Sequence, residues 1–250
     1  MEVYIVAALG AALAGFVQGL SGFGFGLTAM SLWAWTLDPQ LAAALAVFGA
    51  LSGQVIAAFS VRRGFALATL WPFLAGGLAG VPVGTLLLPH LDTALFKTVL
   101  GALLVLWCPA MLLSQRLPRI ASGGRLADAL VGAAGGVMGG LGGFTGVLPT
   151  LWCTLRGFDR DAQRSVIQNF NLAMLAVTMA LYVAHGLVTR PMLPLFAVVL
   201  PAMLLPTLAG SRVYTGISDA AFRRVVLGLL TASGAAMLIA GAGALLMRAG

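Results

Sequence analysis

The chain has 250 residues, of which 60% are hydrophobic and only 8% charged, with a formal net charge of +7. A soluble domain carries about 25% charged residues, so the composition excludes a soluble globular fold and predicts an all-α, polytopic integral membrane protein. The Lys and Arg residues sit singly or in pairs between apolar segments, as loop anchors do, which excludes a nucleic-acid footprint.

The N-terminus, Met1-Glu2-Val3-Tyr4, has neither the basic region nor the small-residue cleavage site of a signal peptide, so the first apolar segment is expected to be retained. That segment, Val3–Leu37, is interrupted by Gly19-Leu20-Ser21-Gly22-Phe23-Gly24-Phe25-Gly26. Glycine is the costliest common residue in a helix after proline, so this stretch predicts a break. Broken backbone at membrane depth is tolerated only where protein buries it or water reaches it. The stretch is therefore a candidate site.

Apolar segments follow at roughly Gln40–Val61, Phe65–Leu88 and Thr93–Leu113, then a polar loop over 114–125. Leu126–Leu155 is broken again, by Gly139-Gly140-Leu141-Gly142-Gly143-Phe144-Thr145-Gly146. Ala162–Leu187, Pro191–Ser211 and Ala220–Met247 complete the series. The unbroken segments are close to the roughly 20 residues that a spanning helix needs. Cys108 and Cys153 lie in apolar segments without metal or redox spacing and read as small core residues. With His90 and His185 the only histidines, neither a metal nor a cofactor is expected.

The order repeats: a glycine-broken segment and three ordinary helices, twice. Asp92-Thr93-Ala94-Leu95-Phe96-Lys97-Thr98-Val99-Leu100-Gly101 aligns without gaps to Asp219-Ala220-Ala221-Phe222-Arg223-Arg224-Val225-Val226-Leu227-Gly228. Asp92 and Asp219 can each cap a helix start, with a basic interface anchor one turn on. The predicted organisation is one membrane domain, 1–250, with repeats over 1–113 and 126–250 joined by a cytoplasmic loop, 114–125.

Charge decides how the repeats are related. If each broken segment crosses fully, the basic residues divide evenly between the two faces. If each is re-entrant, Arg62, Arg63, Arg116, Arg119, Arg125, Arg156, Arg160, Arg164, Arg212, Arg223 and Arg224 share one face, against Lys97, Arg190 and Arg248. The second arrangement has the bias expected of a cytoplasmic face. The second broken segment also reads as two arms of roughly 13 residues, about 20 Å of helix each, too short for a core of about 30 Å. The arms of the first are long enough to span nearly fully, so a full-span hairpin is the alternative there. The halves are then inverted copies whose glycine tips meet near the midplane, a signature of secondary transporters.

Gly15-Phe16-Val17-Gln18-Gly19-Leu20-Ser21-Gly22-Phe23-Gly24-Phe25-Gly26 and Gly135-Gly136-Val137-Met138-Gly139-Gly140-Leu141-Gly142-Gly143-Phe144-Thr145-Gly146 resemble the paired Gly-rich segments of the TauE/SafE sulfite exporter family. The resemblance covers essentially the whole chain. It implies a permease of the inner (cytoplasmic) membrane for sulfur-containing anions such as sulfite or organosulfonates. Phe23 and Phe25 depart from it, standing where smaller residues are expected.

Backbone N–H groups at a broken tip, with the positive end of the following helix, can hold an anion without a buried cation. The predicted substrate-binding residues are Gln18, Gly19, Ser21, Gly22, Gly24 and Gly26 on the first tip, with Gln54. On the second they are Gly139, Gly142, Gly143, Thr145 and Gly146, with Gln168 and Asn171, which share a helix face at i and i+3. The alternative for the glycines is close helix packing, and for the amides a bridge between helices. Asp128 reads either as a proton carrier or as an interfacial acid paired with Arg125.

Gly19-Leu20-Ser21-Gly22 also resembles the GxSG motif of rhomboid proteases, with His185 as partner; a serine nucleophile needs such a base beside it. A passive channel is the third alternative. The expected partners are a small anionic substrate and the lipid bilayer, with a homo-oligomer allowed but not required. No catalytic residue is expected.

Overall fold

The computed structural model describes residues 1–22, 24–60, 67–114, 119–120, 122–213 and 219–249. Phe23, Arg62, Arg63 and Arg116, singled out above, lie outside them. Among the described residues every regular element is helical. The first half holds α1 (Glu2–Ser21), α2 (Phe25–Trp33), α3 (Pro39–Ser60), α4 (Leu67–Leu87) and α5 (Thr93–Leu113). The second holds α6 (Gly124–Gly142), α7 (Val147–Leu155), α8 (Arg160–Ala184), α9 (Leu193–Val213) and α10 (Asp219–Ala249). Seven of these, α1, α3, α4, α5, α8, α9 and α10, contain segments long and apolar enough to cross a membrane. Large apolar side chains such as Leu106, Leu205 and Ile239 are exposed, as a lipid-facing surface requires. The chain is a multi-pass integral membrane protein.

Acidic caps start the helices where the sequence changes from polar to apolar. Asp38 accepts from the Gln40 and Leu41 N–H groups, Asp92 from Leu95 and Asp159 from Ala162. The Leu95 N–H, with Arg248 beyond it, holds the exposed Asp92 carboxyl below its usual range. Arg248 Nη1 donates to Asp92 Oδ2 at 2.6 Å, so the end of α10 meets the start of α5.

Both broken segments stop at a glycine in the left-handed region, Gly22 at φ 76° and Gly143 at φ 78°. At these two positions, and at Gly24 with φ 97° just before α2, the backbone of the breaks favours a residue without Cβ. The arms are unequal, which corrects the expectation of two similar arms. The first helix of each pair has 20 or 19 residues and the second has nine. The long arms cover about 30 Å and the short ones about 13 Å. The difference arises because Gly135, Gly136, Gly139 and Gly140 stay helical and pack against neighbours.

Each short arm doubles back on its long arm and is tied there by a tryptophan. Trp33 Nε1 donates to Val6 O at 3.1 Å, and Trp152 Nε1 donates to Asp128 Oδ1 at 2.7 Å. The chain before α6 also touches the chain after α7, since the Ile120 N–H donates to Leu155 O at 2.8 Å. Asp128 is buried and takes the indole N–H of Trp152. No ion pair with Arg125 forms among the described residues.

The halves interlock rather than sit side by side. α1 packs on α9, α4 on α6, α5 on α10 and α3 on α8. The first two contacts are the same contact made twice. A Cβ on Gly15 or Gly19 of α1 would collide with Met203 O or Thr207 O of α9. A Cβ on Gly136 or Gly140 of α6 would collide with Gly77 O or Val81 O of α4. A shift of 121 positions carries the first glycine pair onto the second, and a shift of 126 carries the α4 carbonyls onto those of α9.

Candidate functional site

The two breaks face each other in the protein interior. A Cβ on Gly26, in the first turn of α2, would press on the Gly142 and Gly143 carbonyls at the end of α6. Between the tips lies a cavity of about 20 Å³, room for about one water molecule. Of the predicted site residues, Gln18, Gly24, Gly26, Gln54, Gly143, Thr145, Gly146 and Asn171 line it. α1 supplies Gln18 and α3 supplies Gln54, while Asn171 comes from the middle of α8.

The other predicted residues lie nearby in different roles. Gly19 packs on α9, and Gly139 lies against Thr145 Cγ2. Gly22 turns the chain and sits near Gln168 Nε2, while Gly142 lies against Phe144 and Met30. Ser21 is exposed, and its hydroxyl donates to Val17 O of its own helix at 2.7 Å. His185 caps the far end of α8, about 21 Å of helix from Asn171. Ser21 and His185 therefore do not form a nucleophile and base.

Sequence reasoning missed Phe25, Leu27, Ala50, Phe144, Val147 and Leu175, which complete the lining. Phe25 fills the wall in a way its flagged position hinted at. Its ring occupies the place a Cβ on Gly49 would take, and it meets Trp33 edge-on at 6.1 Å between centroids.

The polar groups are neutral and specifically oriented. Gln18 Nε2 donates to Ala50 O at 3.3 Å, and Gln54 Nε2 donates to Gly22 O at 2.9 Å. Thr145 Oγ1 donates to Asn171 Oδ1 at 2.8 Å. Gln18, Gln54, Thr145 and Asn171 are all buried. The first-turn N–H groups of α2 have no partner within their own helix. α7 offers fewer, because Val147 N–H donates to Phe144 O and Pro149 has no N–H.

The short arms are held from outside by the last helix of each half. Trp107 Nε1 on α5 donates to Val147 O at 2.7 Å, at the start of α7. Ser233 Oγ on α10 donates to Ser31 O of α2 at 3.1 Å. No group of three His, Cys, Asp or Glu that could hold a metal occurs among the described residues.

A cavity enclosed by two broken helices, lined by amides, a hydroxyl and backbone, suits binding of a small polar solute within the membrane. The family model described as sulfite exporter TauE/SafE matches residues 7–237 of the chain. No curated protein and no solved structure shows significant similarity to it.

Proposed function

This chain belongs to the TauE/SafE sulfite exporter family and is a polytopic membrane transporter, and we propose that it carries a small anion, a sulfur oxyanion or organosulfonate such as sulfite, across the cytoplasmic membrane. Membership of a transporter family also replaces the protease alternative. The observation that carries the cargo assignment is the neutral cavity between two helix breaks, where the N-terminal turn of α2 meets the end of α6. Its residues Gln18, Gly24, Gly26, Gln54, Gly143, Thr145, Gly146 and Asn171 are the proposed contacts.

In this reading each broken segment is a re-entrant hairpin, and residues 1–113 and 126–250 are inverted repeats. Two contacts support it. Asp92 and Arg248 pair, and Ile120 bonds to Leu155. Full crossings by both broken segments would put each of those pairs on opposite membrane faces. The basic residues then concentrate on the face of 114–125, which makes that face cytoplasmic. A cavity the size of a water is closed to sulfite, so the tips must part to load it, as alternating access requires.

The test is flux in proteoliposomes with sulfite, thiosulfate, sulfonates and carboxylates under imposed gradients. Saturable flux of a sulfur anion, with counterflow, is expected. Movement of none of them overturns the cargo assignment. Unsaturable flux without counterflow identifies a channel instead.

A further inference from the structure

The hydrogen-bonding valence of the cavity is mixed. Gln18 is 4% exposed, and its Nε2 donates to Ala50 O, which fixes the amide orientation. Its Oε1 is left buried with no hydrogen-bond partner among the described residues. Thr145, 1% exposed, gives its only hydroxyl proton to Asn171 Oδ1, so its oxygen can serve the cavity only as an acceptor. The donors are Asn171 Nδ2, which donates to no described residue, and the first turn of α2.

Charge is absent from the lining. α2 and α3 carry no titratable residue. Glu2 and Tyr4 of α1, Lys97 and Cys108 of α5, Arg125 and Asp128 of α6, and Cys153 of α7 lie outside the cavity wall. So do Asp161, Arg164 and Tyr182 of α8 and Arg212 of α9.

A fully ionised oxyanion offers acceptors only. It would satisfy Asn171 and α2 but leave the Gln18 oxygen buried and unpaired, which is costly. It would also bring charge into a site without a cation, at a cost rising with the square of that charge. Both terms favour one ligand class. Resting on the reading of this cavity as the substrate site, we propose that the transported species is a monoanion bearing its own hydrogen-bond donor: the protonated form of a sulfur(IV) oxyanion, or a sulfonate with an O–H group. The donor reaches Gln18 Oε1, and the anionic oxygens reach Asn171 Nδ2 and the N–H groups of α2. The proton then crosses with the cargo, and no protein carboxylate is needed to carry it.

The test compares 2-hydroxyethanesulfonate with propanesulfonate, which puts a methyl in place of the hydroxyl, in proteoliposomes at neutral pH. The hydroxylated anion is expected to have at least about tenfold higher kcat/KM, since a site built to bond a hydroxyl rejects the analogue without it. Gln18→Leu should bring that ratio toward one at an unchanged membrane level, and should lower kcat/KM for sulfite too, because the protonated oxyanion uses the same acceptor. Thr145→Val gives an independent reading of the same ratio. Equal rates in the unaltered protein, or an unchanged ratio in both variants, overturn the proposal. If neither sulfonate moves, sulfite decides. Flux above protein-free liposomes must follow the monoanion concentration as pH is lowered, and flux that follows the dianion overturns the proposal while leaving anion transport intact. Failure of every anion removes the cargo reading and this inference with it.

Discussion

At the tip of the first hairpin stand Gly24, Phe25 and Gly26; at the second stand Thr145, Gly146 and Val147. A shift of 121 positions relates them, the same shift that carries Gly22 onto Gly143 and the cap Asp38 onto Asp159. Applied to the cavity, it carries Gln18 onto Gly139, Ala50 onto Asn171 and Gln54 onto Leu175. Each polar side chain in the lining thus has a glycine or an apolar residue as its counterpart. The helix break occurs twice, while the polar side chains that line the cavity occur once. On the proposed reading, a ligand held between equivalent tips would otherwise bind in two orientations, and the single-copy side chains choose one.

The strongest way to break this division is to make the second tip copy the first. Gly146→Phe places a side chain where even a Cβ would meet the Asn171 amide at 2.8 Å. Loss of flux beyond about a hundredfold is expected, since misplacing a binding group by an ångström has effects of this order. Transport assays normalised to membrane protein would measure it. Near-normal flux would mean that the tips do not bear on the substrate.

The reverse change, Phe25→Ala, should cost about 3–5 kcal/mol of stability because the ring is 1% exposed and well packed. It should also admit larger sulfonates that the unaltered protein excludes. Thermal unfolding in detergent and competition against sulfite flux read the two effects separately. An unchanged size limit would show that Phe25 supports the fold without bounding the cavity.

The smallest effects come from the tryptophan ties. Trp152→Phe leaves the buried Asp128 carboxyl without its donor and should cost about 1.5–3 kcal/mol. Trp33→Phe removes a bond to a backbone carbonyl, worth about 1 kcal/mol. Unfolding midpoints that rank the two the other way would show the second hairpin to be fixed mainly by its other contacts.

Much of the architecture was legible because lipid imposes length and apolarity together. Thr93–Leu113 was bounded by a capping aspartate and a polar loop, and the helix has those ends. The unequal arms were not legible. A run of glycines shows that a helix can break but not where, since a glycine packed on a carbonyl looks the same in sequence as one with positive φ. Gly140 and Gly143 are three residues apart and do opposite things. The amides of the site were visible because polar groups in an apolar helix demand a partner. Ala50, Leu175 and Phe144 carry no such mark, and only the folded chain places them at the cavity.

The glycine contacts of α1 with α9 and of α4 with α6 have a consequence for motion. Each pairs a long hairpin arm from one half with a helix from the other, at backbone contact. Helices meeting so closely move together more easily than they slide. A transport cycle in which parts of the protein swing past one another is therefore expected to move two units, α1–α2–α9 and α6–α7–α4, each assembled from both halves of the sequence, rather than the halves themselves.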